Sequence, residues 1–173
     1  MIILIGVCQI KDTMSKQVAI LLETIINAPV ERVFDLARSI DLHQESTSQT
    51  HEKAVGGRIT GLLDLNETVT WEAKHLGVRQ RLTTKMIELD FPRCFKDVMI
   101  SGAFQSMEHV HQFKANGSQT IMIDIFSFKS PLGIIGDLVN RIFLTKYMTR
   151  FLESKNQHLK LVAEGVEWEK YIK

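Results

Sequence analysis

The sequence predicts an α+β fold in which one curved antiparallel sheet wraps around a long C-terminal helix. Three observations carry this. Apolar residues recur with a helical period from Ser130 to Ala163, with no proline after Pro131. From Asn66 to Phe128 the period is two, as in half-buried strands. A first strand and two short helical segments precede that run, so strands and helices are grouped in blocks and do not alternate.

The elements follow in order. Met1 to Val7 is apolar but short, and no basic residues precede it. A secretory signal needs a positive start and a longer apolar core, and a membrane span needs about 20 apolar residues. Residues 1–17 are therefore expected to be a peripheral N-terminal extension, and Met14-Ser-Lys also reads like a chain start. Val18–Ile26 is rich in β-branched and large aliphatic residues and reads as a strand. Asn27-Ala-Pro29 stops it and starts a helix, with Pro29 in the first turn and Glu31 near the positive end. Val30, Val33, Phe34 and Ala37 give that helix one apolar stripe. A second short helix covers Ile40–Glu45, followed by a polar loop at Ser46–Thr50 and a turn at Gly56-Gly57.

In the next strand Val69, Trp71, Ala73 and His75 alternate with Thr70, Glu72 and Lys74. Gly77 breaks it. Further strands are expected at Val78–Glu88, Arg93–Ser101, Gln105–Lys114 and Gln119–Phe128, with Pro92 ending the first of them. Asn116-Gly117 is a strong signal for a tight hairpin.

The final helix opens at Ser130-Pro131-Leu132-Gly133, where Ser130 can cap and Pro131 fits the first turn. Wholly helical, it would run roughly 50 Å at about 1.5 Å per residue. Ile135, Leu138, Val139, Ile142 and Phe143 form one stripe, and Leu144, Tyr147, Met148, Phe151 and Leu152 form a second, nine residues on. Nine residues is two and a half turns, so the stripes face nearly opposite ways. Either the helix bends near Phe143–Leu144, or its first half is covered on both sides.

At 173 residues the chain suits one domain with a real core. Residues 18–164 are expected to form it, with 165–173 as a C-terminal tail. A formal charge of +1 gives no general pull toward nucleic acid or an anionic membrane. Two cysteines, Cys8 and Cys94, exclude a disulfide framework and a Cys-rich zinc site, and fit a cytoplasmic location. No Gly-rich phosphate loop or Ser/His/Asp or Cys/His nucleophile arrangement is present.

A two-residue loop at Asn116-Gly117 pairs Ala115 with Ser118 and sets His111 opposite Met122, His109 opposite Asp124 and Met107 opposite Phe126. One face of the hairpin then carries Met107, His109, His111, Phe113, Met122, Asp124, Phe126 and Phe128. Their aromatic and Met side chains mark it as the inner face. The preceding strand presents Phe95, Asp97 and Met99 together, and a three-residue loop at Gly102-Ala103-Phe104 sets Asp97 opposite His109. Asp97, His109 and Asp124 then share one row. An imidazole between two carboxylates is held charged and oriented, and could act as a general acid or base. The same row could instead orient a ligand, or be a hydrogen-bonded polar cluster inside an apolar cavity. Two His and two Asp also suit a divalent metal, but His-X-His on a strand is a weak signal, and neither metal nor cofactor is expected. The cavity is expected to be lined by Trp71, His75, Asp97, Met99, His109, His111, Met122, Asp124 and Phe126.

Several segments together resemble the START-like (SRPBCC) superfamily, which includes polyketide cyclase/dehydrase-like and birch-pollen-allergen-like proteins. They are Ile26-Asn-Ala-Pro-Val-Glu-Arg-Val-Phe34, Glu67-Thr-Val-Thr-Trp71-Glu-Ala-Lys-His75, Gly102-Ala-Phe104 with His109-Val-His111, and Ser130-Pro-Leu-Gly133. The resemblance spans Val18 to Ala163 and is nearest to a bacterial branch of uncharacterised small proteins. It implies a helix-grip fold with a deep, mostly apolar cavity between sheet and helix. Three functions are open under it. The first is binding, transport or sensing of a small hydrophobic or lipid-like molecule. The second is a cyclase/dehydratase-type enzyme using His109 with Asp97 or Asp124. The third is a protein–protein interaction module without a ligand. The resemblance favours binding over catalysis, since it implies relatives that bind or carry such molecules and only a minority that catalyse, although fold alone does not choose among these. Residues outside Val18–Glu164 could reshape the cavity mouth or form a homodimer contact.

Overall fold

The computed structural model describes residues 17–75, 77–129 and 137–172. Its elements run β1 (Val18–Ile26), α1 (Val30–Ala37), α2 (Ile40–Ser46), β2 (Lys53–Gly57), β3 (Thr68–His75), β4 (Val78–Asp90), β5 (Cys94–Ser101), β6 (Ser106–Asn116), β7 (Gln119–Lys129) and α3 (Asp137–Glu164). The strands form one antiparallel seven-stranded sheet in the order β1-β7-β6-β5-β4-β3-β2. Helices α1, α2 and α3 pack together on one face of it. This is the α+β, sheet-around-helix architecture expected from the sequence.

The register follows from side-chain alternation. On β6 and β7 the residues Met107, His109, His111, Phe113, Met122, Asp124, Phe126 and Phe128 are all buried. They form the inner face, as their aromatic and Met content indicated. In the core, Phe34 of α1 is fully buried and meets the rings of Phe91, Phe95 and Phe113 edge-on at 5.2, 5.4 and 5.1 Å. A second apolar cluster joins Ile20, Met107, Phe126 and Phe128 to Met148 and Leu152 of α3.

Three expectations need correction. Gly56-Gly57 is not a free turn; it ends strand β2, which pairs with β3 through Gly56–Thr70 and Gly57–Val69. Glycine is required at 57, where φ is +69° and an added Cβ would lie 2.2 Å from the Thr68 carbonyl oxygen. Ser48–Thr50, expected as loop, forms a turn of 3₁₀ helix. The β6–β7 hairpin is shifted by two residues, because Asn116 pairs with Gln119 and the loop is Gly117-Ser118. Gly117, at φ +63°, takes the first loop position, where a type II′ turn requires glycine. A shift of two keeps every side chain on its face but changes its partner.

The long helix runs unbroken through Phe143–Leu144. Leu144, Tyr147, Met148, Phe151 and Leu152 pack toward the sheet. Ile142 and Phe143 are exposed, so this part of the first stripe is not covered on both sides. The expected cap at Ser130-Pro131-Leu132-Gly133, and the contributions of Ile135, Leu138 and Val139, lie outside what is described, as does the expected N-terminal extension up to residue 16. At the other end, residues past α3 fold back. Tyr171 is buried in the main core and donates a 2.6 Å hydrogen bond to Glu45 Oε2. Arg32 stacks over Trp168 at 4.2 Å.

Candidate ligand-binding site

A cavity of about 370 Å³ lies between the sheet and α3. That is within the usual range for small-molecule pockets, of order 300–1,000 Å³. Its walls are mainly apolar: Leu82, Met107, Phe126, Leu144, Met148 and Leu152 belong to them. Of the nine residues expected at the cavity, Trp71, His75, Asp97, His109, His111 and Phe126 line it. The other three do not. Met122 is 1% exposed and is taken up by the main core. Met99 packs toward Leu82 and the Gly102 bend. Asp124, also 1% exposed, stands behind the two histidines.

The register shift changes the polar row. Asp97 does face His109, but Asp124 faces His111, and His109 faces Phe126. The expected row Asp97–His109–Asp124 is therefore not formed. A two-by-two cluster replaces it. Asp124 Oδ1 reaches diagonally to His109 Nε2 at 3.0 Å. The same oxygen is 2.7 Å from His111 Nδ1, a close polar contact out of line for a hydrogen bond. His111 Nε2 is 3.8 Å from Asp97 Oδ1. Asn156 of α3 donates a 2.6 Å bond to Asp124 Oδ2, tying helix to sheet. The two imidazoles lie with centroids 3.8 Å apart, and Phe95 stacks on His111 at 4.3 Å.

The electrostatics also differ from expectation. Burial, followed by the neighbouring His111, pushes His109 down to about 4, outweighing the carboxylates that favour its cation. His111 is lowered too, again chiefly by burial. Burial opposes ionisation of Asp124, but its contacts with His111 and His109 hold its carboxyl well below the ordinary range. The pair is a carboxylate facing neutral imidazoles, where the sequence suggested a charged one. Asp97, with less help from its neighbours, is raised by burial.

Sequence reasoning missed several polar groups at the cavity. His43 stacks on Trp71 at 4.0 Å and contacts the buried Glu52 at 3.2 Å. Burial, then Lys155, lowers His43; burial opposes the charge of Glu52, but His43 keeps its carboxyl below the usual value. His75 Nδ1 shares a 2.8 Å hydrogen bond with the Tyr147 hydroxyl. Lys155 and Asn156 are buried on α3. A signal for these two existed. Counting three and four onward from Leu152 on the inner stripe reaches Lys155 and Asn156, polar residues at core-facing positions.

A curved antiparallel sheet, two short helices after its first strand, a long helix across its concave face and a cavity between them define the START-like, helix-grip fold. No family model matches the chain, and no curated protein matches it in sequence. Solved structures match it in fold. The Zhui aromatase/cyclase from Streptomyces sp. R1128 superimposes with a TM-score of 0.69 at 12% identity, over 86% of this chain and 94% of its own. The protein TTHA0849 from Thermus thermophilus gives 0.68 at 21% identity, over 82% and 94%. A START superfamily protein from Mycobacterium smegmatis gives 0.65 at 10% identity, over 84% and 97%. At such identities the likeness is one of fold. No helix among the described residues is long and apolar enough to cross a membrane.

Proposed function

We propose that this protein binds a small hydrophobic or lipid-like molecule that carries a polar end. The observation that carries this reading is the cavity itself: apolar walls with a few convergent polar groups on its floor. The apolar body of the ligand would lie against Phe126, Met148 and Leu152. Its polar end would meet Asp97, His109 and His111. Transport and sensing both fit such binding, and so does a cytoplasmic protein with few cysteines. The near-neutral charge supports a partner other than nucleic acid. A homodimer is compatible with this reading.

A second reading is supported by the His109–Asp124 contact. A neutral imidazole, oriented by a carboxylate and lining the cavity, can take a proton from a substrate, as a cyclase or dehydratase requires. Native mass spectrometry of the full chain as purified, with organic extraction of what it releases, tests the first reading. A released amphipathic molecule at one equivalent supports it. Exclusively apo protein, still apo after incubation with a hydrophobic library, contradicts it. If a bound molecule is found, conversion that disappears in His109→Gln while binding persists would establish the second reading.

A further inference from the structure

We infer that Asp97, His109 and His111 form a binding site for a divalent transition-metal ion, with a coordination position open to the cavity. One ligand atom from each of the three residues lies within 4.8 Å of the others. His111 Nε2 and Asp97 Oδ1 are already 3.8 Å apart. Two imidazoles with one carboxylate suit zinc, iron, cobalt or nickel; calcium and magnesium prefer all-oxygen sites. Metal–ligand distances near 2.1 Å put the ligand atoms of a tetrahedral site about 3.4 Å apart, so separations of up to 4.8 Å would close by at most about 1.4 Å through side-chain rotation.

The surroundings match those that support metal-bound histidines. Such ligands usually place their second ring nitrogen against a carboxylate, which fixes the ring and raises its basicity. Asp124 Oδ1 lies against His109 Nε2 and His111 Nδ1, leaving His109 Nδ1 and His111 Nε2 to serve as ligands. Asn156 fixes the other Asp124 oxygen. Asp97 and Asp124 bring negative charge that a dication offsets, against the opposing charge of Lys155. All three ligands line the cavity alongside Phe126 and Met107, so a fourth position would face it. This inference does not depend on the identity of any hydrophobic ligand.

The test is titration of tag-free, chelator-treated full-length protein with Co²⁺, followed by displacement with Zn²⁺. The expected result is one equivalent of cobalt with the visible absorption of a low-coordinate site, displaced by one equivalent of zinc. Asp97→Asn, His109→Gln and His111→Gln should each weaken binding by about 100-fold, and Asp124→Asn, acting as a positioning change, by about 10–100-fold. His158→Gln, at a residue that pairs with Glu45 away from the cavity, should leave it unchanged. If one histidine variant loses its circular dichroism, the half-buried Asp97→Asn still decides. Wild-type protein that takes up no cobalt overturns the inference. So does cobalt binding that is unchanged in folded Asp97→Asn.

Discussion

Asn156, on the long helix, donates a 2.6 Å hydrogen bond to Asp124 Oδ2 on the inner face of the sheet. Both side chains are almost wholly buried. A buried carboxylate is tolerable only if its lone pairs are satisfied, and here the helix supplies one donor and His109 another. The contact therefore joins the sheet's polar floor to the helix that closes the cavity.

Asn156→Leu removes that donor while keeping the branching and the number of side-chain heavy atoms. It should cost about 1.5–3 kcal/mol, the range for a hydrogen bond to a charged group, measured by urea unfolding at pH 7. Replacing Asp124 as well, with Asn, should recover part of the loss, because no buried charge is then left unmatched.

Acid should weaken the fold. His109 titrates near 4 in the folded chain against 6.5 for an ordinary histidine. Between these values the unfolded chain binds more protons, so stability falls as pH drops through that window. The full effect of His109 is about 3 kcal/mol, with His43, His75 and His111 acting in the same direction. Asp124 adds a further loss below its ordinary value, while Asp97, raised in the fold, opposes it. Urea unfolding at pH 7 and pH 5 should show the fall, and His109→Gln should flatten it. Equal stability at both pH values in wild type would contradict this account.

Phe34→Ala empties the meeting point of Phe91, Phe95 and Phe113. It should cost about 3–5 kcal/mol in the same unfolding measurement. Tyr171→Phe, which loses the hydroxyl's hydrogen bond to Glu45, should cost about 1 kcal/mol.

The fold was legible because its signals were periodic. Alternation in Val69–His75 and the stripe from Leu144 to Leu152 each identified a buried face without any knowledge of partners. Strand β2 was hidden: Lys53–Gly57 is short, ends in two glycines and carries a bulge between Ala54 and Gly56. The hairpin register was ambiguous for a physical reason. Asn116-Gly117-Ser118 contains two overlapping loop signals, Asn-Gly for a type I′ turn and Gly-Ser for a type II′ turn. The second is adopted, and the two-residue shift moved Asp124 from His109 to His111 without turning it off the inner face. Site chemistry was less legible still. The charge on His109 is set chiefly by burial, which no local pattern reports. Glu52, His43 and Tyr147 reach the cavity from separate elements through tertiary contacts alone.

The central claim is that the cavity takes an apolar molecule with a polar end, and Trp71 reports on it directly. The chain has two tryptophans, so in Trp168→Phe the fluorescence comes from Trp71 at the cavity wall. Titration of that variant with linear alcohols from hexanol to decanol should give saturable, one-site changes. Affinity should rise about fourfold per added CH₂ until the space is filled, and should fall by at least about tenfold when Ala73→Phe occupies the wall. Absence of any saturable change across the series, or titrations identical with and without Ala73→Phe, would contradict the account.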